Sequence, residues 1–242
     1  MNPTFGLSTL IGVAWTALTL AAQTPAPPPE VCAPAGAAQL AAGPIGAIHA
    51  HLNGFHFYSG DLHRAVRVEH YCSHLNADVL QCVIYDSEEK NARLIGVEYI
   101  ITEALFNTLP AEEKKLWHSH RYEVMSGLLT APGVSDLAEK ELMTSFVSTY
   151  GKTWTLWQVD RGDKLPLGLP KLMMAFTADG QLDRQEVVRR DRDLKFDSAG
   201  LKAARAGLAT RPVAPGADGW QQGPAFQIDD AWLKLAPSGV QK

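Results

Sequence analysis

One alternation of residue types, from residue 66 to residue 74, constrains the fold of this chain more than any other feature. Successive side chains of a β-strand point to opposite faces, so a period of two over nine residues predicts a strand. One face of this strand carries two histidines and a thiol, whereas the other face is polar or aromatic. The residues on that face are Val66, Val68, His70, Cys72 and His74.

The rest of the chain predicts more strands and several helices in mixed order. Strict β-α-β alternation, which is typical of a parallel sheet, is missing from the sequence pattern. We therefore predict an α+β fold, a single domain with a mainly antiparallel β-sheet flanked by helices. The further strands are predicted at 79–85, 93–101, 118–129, 153–160, 171–177 and 181–189, and helices are predicted to begin after Thr102 and at Pro110, Ser135 and Ser198.

The hairpin between the first two strands decides whether Cys72 and Cys82 can form a disulfide. A loop of three residues would place the two cysteines opposite each other, whereas a loop of two would turn them to opposite faces. The sequence is compatible with both loops. The third cysteine, Cys32, is the odd one, so at most one bridge forms within the molecule.

The two ends of the chain predict segments outside the domain. Residues 1–22 form an uncharged apolar run that ends in small residues, which is typical of a secretory signal peptide. An Ala/Pro-rich linker at 23–44 precedes the domain at 45–208, and 209–242 is predicted to be a C-terminal tail. We expect an exported, periplasmic or secreted protein without a transmembrane span in the mature chain. The alternative is a protein held at the membrane by an uncleaved N-terminal segment.

Composition and motifs exclude several classes of function. The formal net charge of −4 shows no basic excess, so nucleic acid is not an expected partner. The chain has no G-x-S-x-G nucleophile motif, no P-loop and no G-x-G-x-x-G, which are the common hydrolase and nucleotide signatures. The tripeptide Arg161-Gly162-Asp163 is interpreted as a turn with internal salt bridges rather than an adhesive motif.

All 8 histidines lie between His49 and His120, and two pairs of them stand out. His70 and His74 share one strand face, as would His118 and His120 in a regular strand. Imidazoles that converge from two strands can bind zinc, iron or copper, and a carboxylate can complete such a site. The metal-site hypothesis therefore names His70, His74, His118 and His120, with Glu98 or Glu123 as a ligand or general base. The alternative is a set of structural histidines hydrogen-bonded to backbone and carboxylates.

The segment 118–123, HSHRYE, also resembles the metal-binding motif of cupins. Glu123 follows His120 after two residues, whereas the cupin motif has three or four. In a regular strand, Glu123 would also point away from the face of the two histidines. A cupin is therefore a minor alternative.

Several ordered blocks of the sequence are similar to the oil body-associated protein family, a family of unknown function. The resemblance implies a shared fold and, from the plant members, contact with a lipid surface, but no catalytic residues. Because those members reside in a reducing compartment, it also implies that a bridge between Cys72 and Cys82 is optional. The blocks are HYCSHLN at 70–76, QCVIYDS at 81–87, ARLIGVEY at 92–99, LWHSH at 116–120, YGKTW at 150–154 and DRGDKLPLG at 160–168.

Two functions follow as hypotheses. The first is an accessory or lipid-associated protein without catalytic activity, whose partner is a lipid or a small apolar ligand. The second is a metal-binding protein or metalloenzyme that uses the histidine cluster. The N-terminal segment and the long tail depart from the plant members, so the lipid association is the less transferable of the implied properties.

Overall fold

The computed structural model describes residues 40–229 of the chain. The predicted signal peptide at 1–22, residues 23–39 of the predicted linker and residues 230–242 of the predicted tail lie outside the described residues. Within 40–229, none of the helices is both long and apolar enough to cross a membrane.

Within the described residues, seven strands, all paired antiparallel, form one sheet. They differ widely in length, and the second strand of the sheet is the longest. In chain order the strands are β1 (Ala50–Tyr58), β2 (Asp61–Asn76), β3 (Val79–Tyr85), β4 (Leu94–Thr102), β5 (His118–Ser119), β6 (Thr149–Thr155) and β7 (Lys171–Ala175).

The sheet closes on itself into a barrel of six strands. Its order is β4-β3-β2-β1-β7-β6, and β6 pairs in turn with β4, from Gly96 with Thr155 to Thr102 with Thr149. The short strand β5 pairs with β6 at the end that β7 leaves free. The α+β class and the antiparallel strands expected from the sequence are confirmed. The closure of the sheet was not predicted from the sequence, because it depends on pairing between strands that are distant in the sequence.

The inner wall of the barrel follows the period of two seen in the sequence. Along β3, for example, Leu80, Cys82 and Ile84 are buried, while the residues between them are half-buried. Alternate residues of every strand therefore face a common interior. Apolar side chains such as Leu52 and Ile100 fill one part of that interior, and the rest is occupied by polar side chains.

A β-bulge in the hairpin between β2 and β3 sets the register of the two cysteines. The loop proper has two residues, Ala77 and Asp78, which alone would turn Cys72 and Cys82 to opposite faces. The register shifts by one between His74 and Asn76, so that Cys72 pairs directly with Cys82. The two cysteines are joined by a disulfide.

We expect the paired replacement Cys72→Ser and Cys82→Ser, in a Cys32→Ser background, to lower the free energy of unfolding by about 2–3 kcal/mol. A loop of this length restricts the unfolded chain by about that amount. The measurement is urea denaturation against the Cys32→Ser protein alone. An unchanged denaturation midpoint would show that the bridge adds nothing to stability.

Six α-helices that lie wholly within residues 40–229 accompany the barrel. Two of them begin at side-chain caps expected from the sequence, since Thr102 accepts a hydrogen bond from the Leu105 amide and Ser135 accepts one from the Ala138 amide. The helices are α1 (Glu103–Thr108), α2 (Ala111–Lys114), α3 (Arg121–Ser126), α4 (Asp136–Phe146), α5 (Arg184–Leu194) and α6 (Ser198–Arg205).

The strand predicted at 118–129 is wrong beyond its first two residues. The chain leaves β5 at His120, whose φ of −83° and ψ of −2° are no longer extended, and continues as α3. Gly127 ends that helix at a φ of 77°, which suits glycine. Propensity in this stretch does not decide between helix and strand, and burial of Val124 against the core favours the helix.

The strand predicted at 181–189 is also wrong, because α5 occupies most of it. Asp183 caps this helix by accepting a hydrogen bond from the Gln185 amide, and Glu186 lies in its first turn. An acidic cap followed by an acidic first turn is a helix start. The sequence-based prediction gave more weight to the Asp-Gly turn at 179–180, which favours a hairpin, than to this helix start.

Two buried arginines of the last helices hold the segment that follows α3. Arg190 of α5 donates hydrogen bonds to the Leu128 carbonyl at 2.9 Å and the Gly127 carbonyl at 3.2 Å. Arg205 of α6 donates to the Val124 carbonyl at 2.7 Å and the Leu129 carbonyl at 2.9 Å. The C-terminal helices thereby fix α3 against the barrel.

Candidate metal centre

A cluster of four histidines and two glutamates occupies the polar part of the barrel interior. All six side chains are buried. Their ligand atoms fall into three groups of three, within each of which all atoms lie within 4.8 Å of one another. We call these six residues the histidine–glutamate cluster: His56, His70, Glu98, His118, His120 and Glu123.

The alternation of the long strands turns three members of the cluster inward. His56 on β1 and His70 on β2 are inward-facing, and their rings meet edge to face at 5.2 Å between centroids. Glu98 on β4 pairs with Cys82 of β3, whose side chain also faces the interior. Directly paired residues of a sheet share a face, so this register places the carboxylate inside the barrel.

The remaining three members come from β5 and the turn into α3. His118 is in β5 and pairs with Gly151 of β6, and His120 follows two residues later. Because the chain then turns into a helix, Glu123 lies one turn beyond His120 and returns to the same side. The prediction that Glu123 points away from the histidines is therefore wrong, since it assumed a regular strand.

Glu98 is the centre of the cluster. Its Oε2 lies 2.7 Å from His70 Nε2, and its Oε1 lies 3.2 Å from both His118 Nε2 and His120 Nε2. Of these three contacts, only the one with His120 has hydrogen-bond geometry. The nitrogens of His70 and His118 approach the carboxylate closely without directing an N–H to it.

These separations match the spacing of ligands around a metal ion. Two atoms that each lie about 2.1 Å from one ion are about 3.0 Å apart at a right angle and about 3.4 Å apart at the tetrahedral angle. The three contacts of Glu98 fall close to this range. Nitrogen and oxygen atoms that are close but not aligned for hydrogen bonding are what a shared ion would produce.

Gly151 leaves the space in which these atoms converge. A Cβ atom at this position would overlap Glu98 Oε1 and would lie 2.6 Å from His118 Nε2 and 2.8 Å from His120 Nε2. The backbone of β6 can therefore pass close to three members of the cluster only because residue 151 has no side chain.

The pKa values of the two carboxyl groups are shifted in opposite directions. Burial alone would raise the pKa of Glu98, but the surrounding imidazoles, His70 most of all, hold the pKa well below its usual value. Burial raises the pKa of Glu123 well above its usual value, and the nearby negative charges of Glu98 and Asp218 add to this effect. Without a cation, the surroundings therefore favour the ionised form of Glu98 and the protonated form of Glu123.

Burial also lowers the pKa of His56, well below its usual value, and lowers the pKa of His120. Both imidazoles are therefore neutral at physiological pH, and neutral imidazole is the form that binds metal ions.

Several polar atoms of the cluster have no hydrogen-bond partner among residues 40–229. They include Nδ1 of His56, of His70 and of His118, and Oε2 of Glu123. Buried polar atoms without a partner cost about 1–3 kcal/mol each. A fully hydrogen-bonded structural network, which is the alternative interpretation of these histidines, would not leave so many unpaired.

The structure brings together five of the residues in the metal-site hypothesis and leaves His74 apart. Four residues along a strand span about 13 Å, so His74 lies well beyond His70 on the same strand. It is exposed, its ring stacks on His49 at 4.9 Å, and its Nδ1 lies 2.9 Å from His49 Nε2. Proximity in the sequence was a poor guide to proximity in the barrel.

His56 is the member that the sequence did not predict. It stands alone among aromatic residues in Gly54-Phe55-His56-Phe57, without a second histidine at a spacing of two. The available signal is the alternation of Leu52, Gly54 and His56 along the strand, which puts the histidine on one face.

Two residues outside the cluster position its histidines. Thr149 places its Oγ1 2.8 Å from His120 Nδ1. Asp218 accepts hydrogen bonds from the Ser119 amide at 2.9 Å and from the Ser119 hydroxyl at 2.7 Å, and Ser119 separates His118 from His120. Part of the predicted tail therefore packs against β5, because Asp218 is 3% exposed.

Comparisons with known proteins find similar sequences. A family model described as "Protein of unknown function (DUF1264)" matches residues 42–209. The chain is 43% identical over 197 residues to Oil body-associated protein 1B of Arabidopsis thaliana, covering 81% of this chain and 82% of that protein. It is 54% identical over 144 residues to Oil body-associated protein 1A of Zea mays, covering 60% of each.

A third relative is Oil body-associated protein 2B of Zea mays, which is 46% identical over 192 residues, or 77% of each chain. No solved structure matches the chain. Every member of the histidine–glutamate cluster lies within the residues that the family model covers, whereas Asp218 lies beyond them.

Proposed function

The chain belongs to the DUF1264 family, whose members include the oil body-associated proteins, and from this premise we propose that it is a metal-binding protein with the histidine–glutamate cluster as its centre. The observation that carries this proposal is the contact of Glu98 with three imidazoles at 2.7–3.2 Å, of which only one is aligned as a hydrogen bond.

The donor atoms indicate which metals fit. Imidazole nitrogens outnumber carboxylates four to two in the cluster. Imidazole-rich sites suit zinc, iron, copper and nickel, whereas magnesium and calcium prefer oxygen ligands. We therefore expect a divalent first-row transition metal such as zinc or iron.

The burial of the cluster suits a tightly held ion. All six residues are no more than 3% exposed, so water has little access to an ion bound there. A metal ion would also give a partner to Nε2 of His70 and Nε2 of His118, which have none among residues 40–229.

Elemental analysis of the protein, purified without a histidine tag, tests this proposal. We expect at least one equivalent of a transition metal per chain, either as purified or after incubation with Zn²⁺ and desalting. Removal with a strong chelator should lower the melting temperature, because a ligand bound only to the folded state stabilises it. Protein that retains no metal after Zn²⁺ addition, with a melting temperature indifferent to chelator, would refute the proposal.

We expect Asp218→Asn to weaken metal binding about tenfold, as is typical when a residue that orients a ligand is changed. Asparagine keeps the shape but removes the charge that holds Ser119 between two of the histidines. The measurement is competition with a fluorescent chelator, alongside circular dichroism. Asp193→Asn is the matched control, because Asp193 is at the surface with its side chain 40% exposed. Equal affinities in the two variants would contradict a positioning role for Asp218.

The names of the relatives favour a second candidate function, contact with a lipid surface. Leu165 and Leu167 lie in the same loop before β7 and are 60% and 56% exposed. Exposed leucines on one loop are suited to shallow insertion into a lipid surface. We propose that this loop mediates such contact.

Flotation with lipid emulsions tests the lipid proposal. The paired replacement Leu165→Ser and Leu167→Ser should reduce the floating fraction, while Leu137→Ser, at a residue 70% exposed on α4, should not. Wild-type protein that stays at the bottom of the gradient would refute it.

Export of the chain is a further proposal, supported by the apolar segment at 1–22 and by the disulfide between Cys72 and Cys82, since such bridges persist in oxidising compartments. N-terminal sequencing of the protein from the producing cell checks it. A mature chain that begins near residue 23 is expected, and an intact cytoplasmic chain would refute export.

A further inference from the structure

The connections among the three groups of ligand atoms point to more than one ion. We propose that the histidine–glutamate cluster binds two divalent metal ions, bridged by the carboxylate of Glu98, with Glu123 beside both imidazole pairs. This inference rests on the proposed metal-binding function and specifies the number of ions and the role of each ligand.

A single ion does not account for the spread of the ligand atoms. Ligands of one first-row ion lie about 2.0–2.2 Å from it, so any two of them are at most about 4.4 Å apart. Even within the wider limit of 4.8 Å, the ligand atoms among the described residues group only by threes. One ion would leave half of this buried cluster without a partner.

Glu98 joins two separate pairs of imidazoles. It forms one group with His56 and His70 and another with His118 and His120. Its two oxygens divide in the same way, with Oε2 at 2.7 Å from His70 Nε2 and Oε1 at 3.2 Å from the nitrogens of the other pair. A carboxylate that presents one oxygen to each pair is placed to bridge two ions.

Glu123 connects the same two pairs at a second point. It groups with His56 from one pair and with His118 from the other. Its Oε2 is buried and has no hydrogen-bond partner among residues 40–229. The arrangement is therefore two imidazoles and Glu98 for each ion, with Glu123 next to one imidazole of each pair.

The charge of this arrangement suits a two-ion centre. Ions in such centres lie about 3.5–4 Å apart, which is the distance that a bridging carboxylate spans. Two divalent ions bring four positive charges, and the carboxylates of Glu98 and Glu123 compensate for half of them. Asp218 adds a third negative charge next to β5, where it holds the Ser119 backbone between His118 and His120.

Metal titration and electron paramagnetic resonance with Mn²⁺ test the inference on the wild-type protein. We expect two equivalents bound per chain at saturation and an exchange-coupled Mn²⁺ spectrum, because a shared carboxylate couples the two spins. One equivalent with an uncoupled spectrum would overturn the two-ion inference and leave the proposed function intact. No bound metal would overturn both, and two equivalents without coupling would overturn the bridging assignment.

Variants of each imidazole pair locate the two ions. His70→Gln and His120→Gln should each reduce binding from two equivalents to one, since each removes a ligand of one ion only. His74→Gln is the control and should retain two equivalents, because His74 is exposed and lies outside the cluster. Binding of two equivalents by both cluster variants would contradict the assignment.

Discussion

Glu98→Gln is expected to lower the affinity for metal about 100-fold or more and to lower the free energy of unfolding of the metal-free protein by about 3–5 kcal/mol. Glutamine keeps the volume of the side chain, but it removes the charge and replaces one oxygen with an amide group. The affinity loss is at least that seen when residues outside the ligand set are changed. The loss of stability reflects the removal of one partner from a buried ionic contact.

Chelator competition measures the first effect, and urea denaturation in the presence of chelator measures the second. Glu112→Gln is the control, because its side chain is 85% exposed and pairs with Lys115 across one helical turn. Retention of metal at wild-type affinity by the Glu98 variant would exclude Glu98 as a ligand.

The stability effect of Glu98 should also depend on pH. The pKa of Glu98 is lower in the folded protein than its usual value, so its contribution is present above about pH 4.3, the value for an unperturbed glutamate. The contribution is lost as the pH falls through the folded pKa. Wild type and variant should therefore converge in stability only in strong acid.

Gly151→Ala has the second largest expected effect, a loss of about 3 kcal/mol of stability together with most of the metal binding. The added Cβ would overlap Glu98 Oε1 and approach His118 Nε2 to 2.6 Å. These side chains are buried and cannot move aside freely, so the methyl group overpacks the site. The measurements are urea denaturation and metal content after reconstitution.

Gly207→Ala is the matched control, because no atom lies within 4 Å of a Cβ at that position. It should leave both stability and metal content near their wild-type values. A Gly151→Ala protein that binds metal normally would show that the ligand atoms do not converge at β6.

Much of the fold follows from local patterns in the sequence. The period of two in β2 and the apolar character of β3 and β4 predicted strands that are present in the structure. The resemblance to the oil body-associated family is confirmed by the family match over 42–209. These features were accessible because side-chain alternation and ordered blocks of sequence are properties of neighbouring residues.

The errors concern segments where local signals compete. At 118–129 the alternation of His118 and His120 favoured a strand, but the chain turns into α3 after β5. At 181–189 a turn signal outweighed the helix cap at Asp183. In both cases packing against the barrel selected the helix, and packing is not visible in a short stretch of sequence.

The sequence by itself determined which residues face one side of each long strand, and hence that His70 and Glu98 could share an interior. Only the tertiary structure decided which of those faces meet. Closure of the barrel through β4 and β6 brings Glu98 to His118, and the helical turn returns Glu123 to the cluster. His74 stays outside the cluster, because alternation along a strand specifies the direction of a side chain but not its position along the barrel. Long-range strand pairing sets that position, and it depends on residues far apart in the chain.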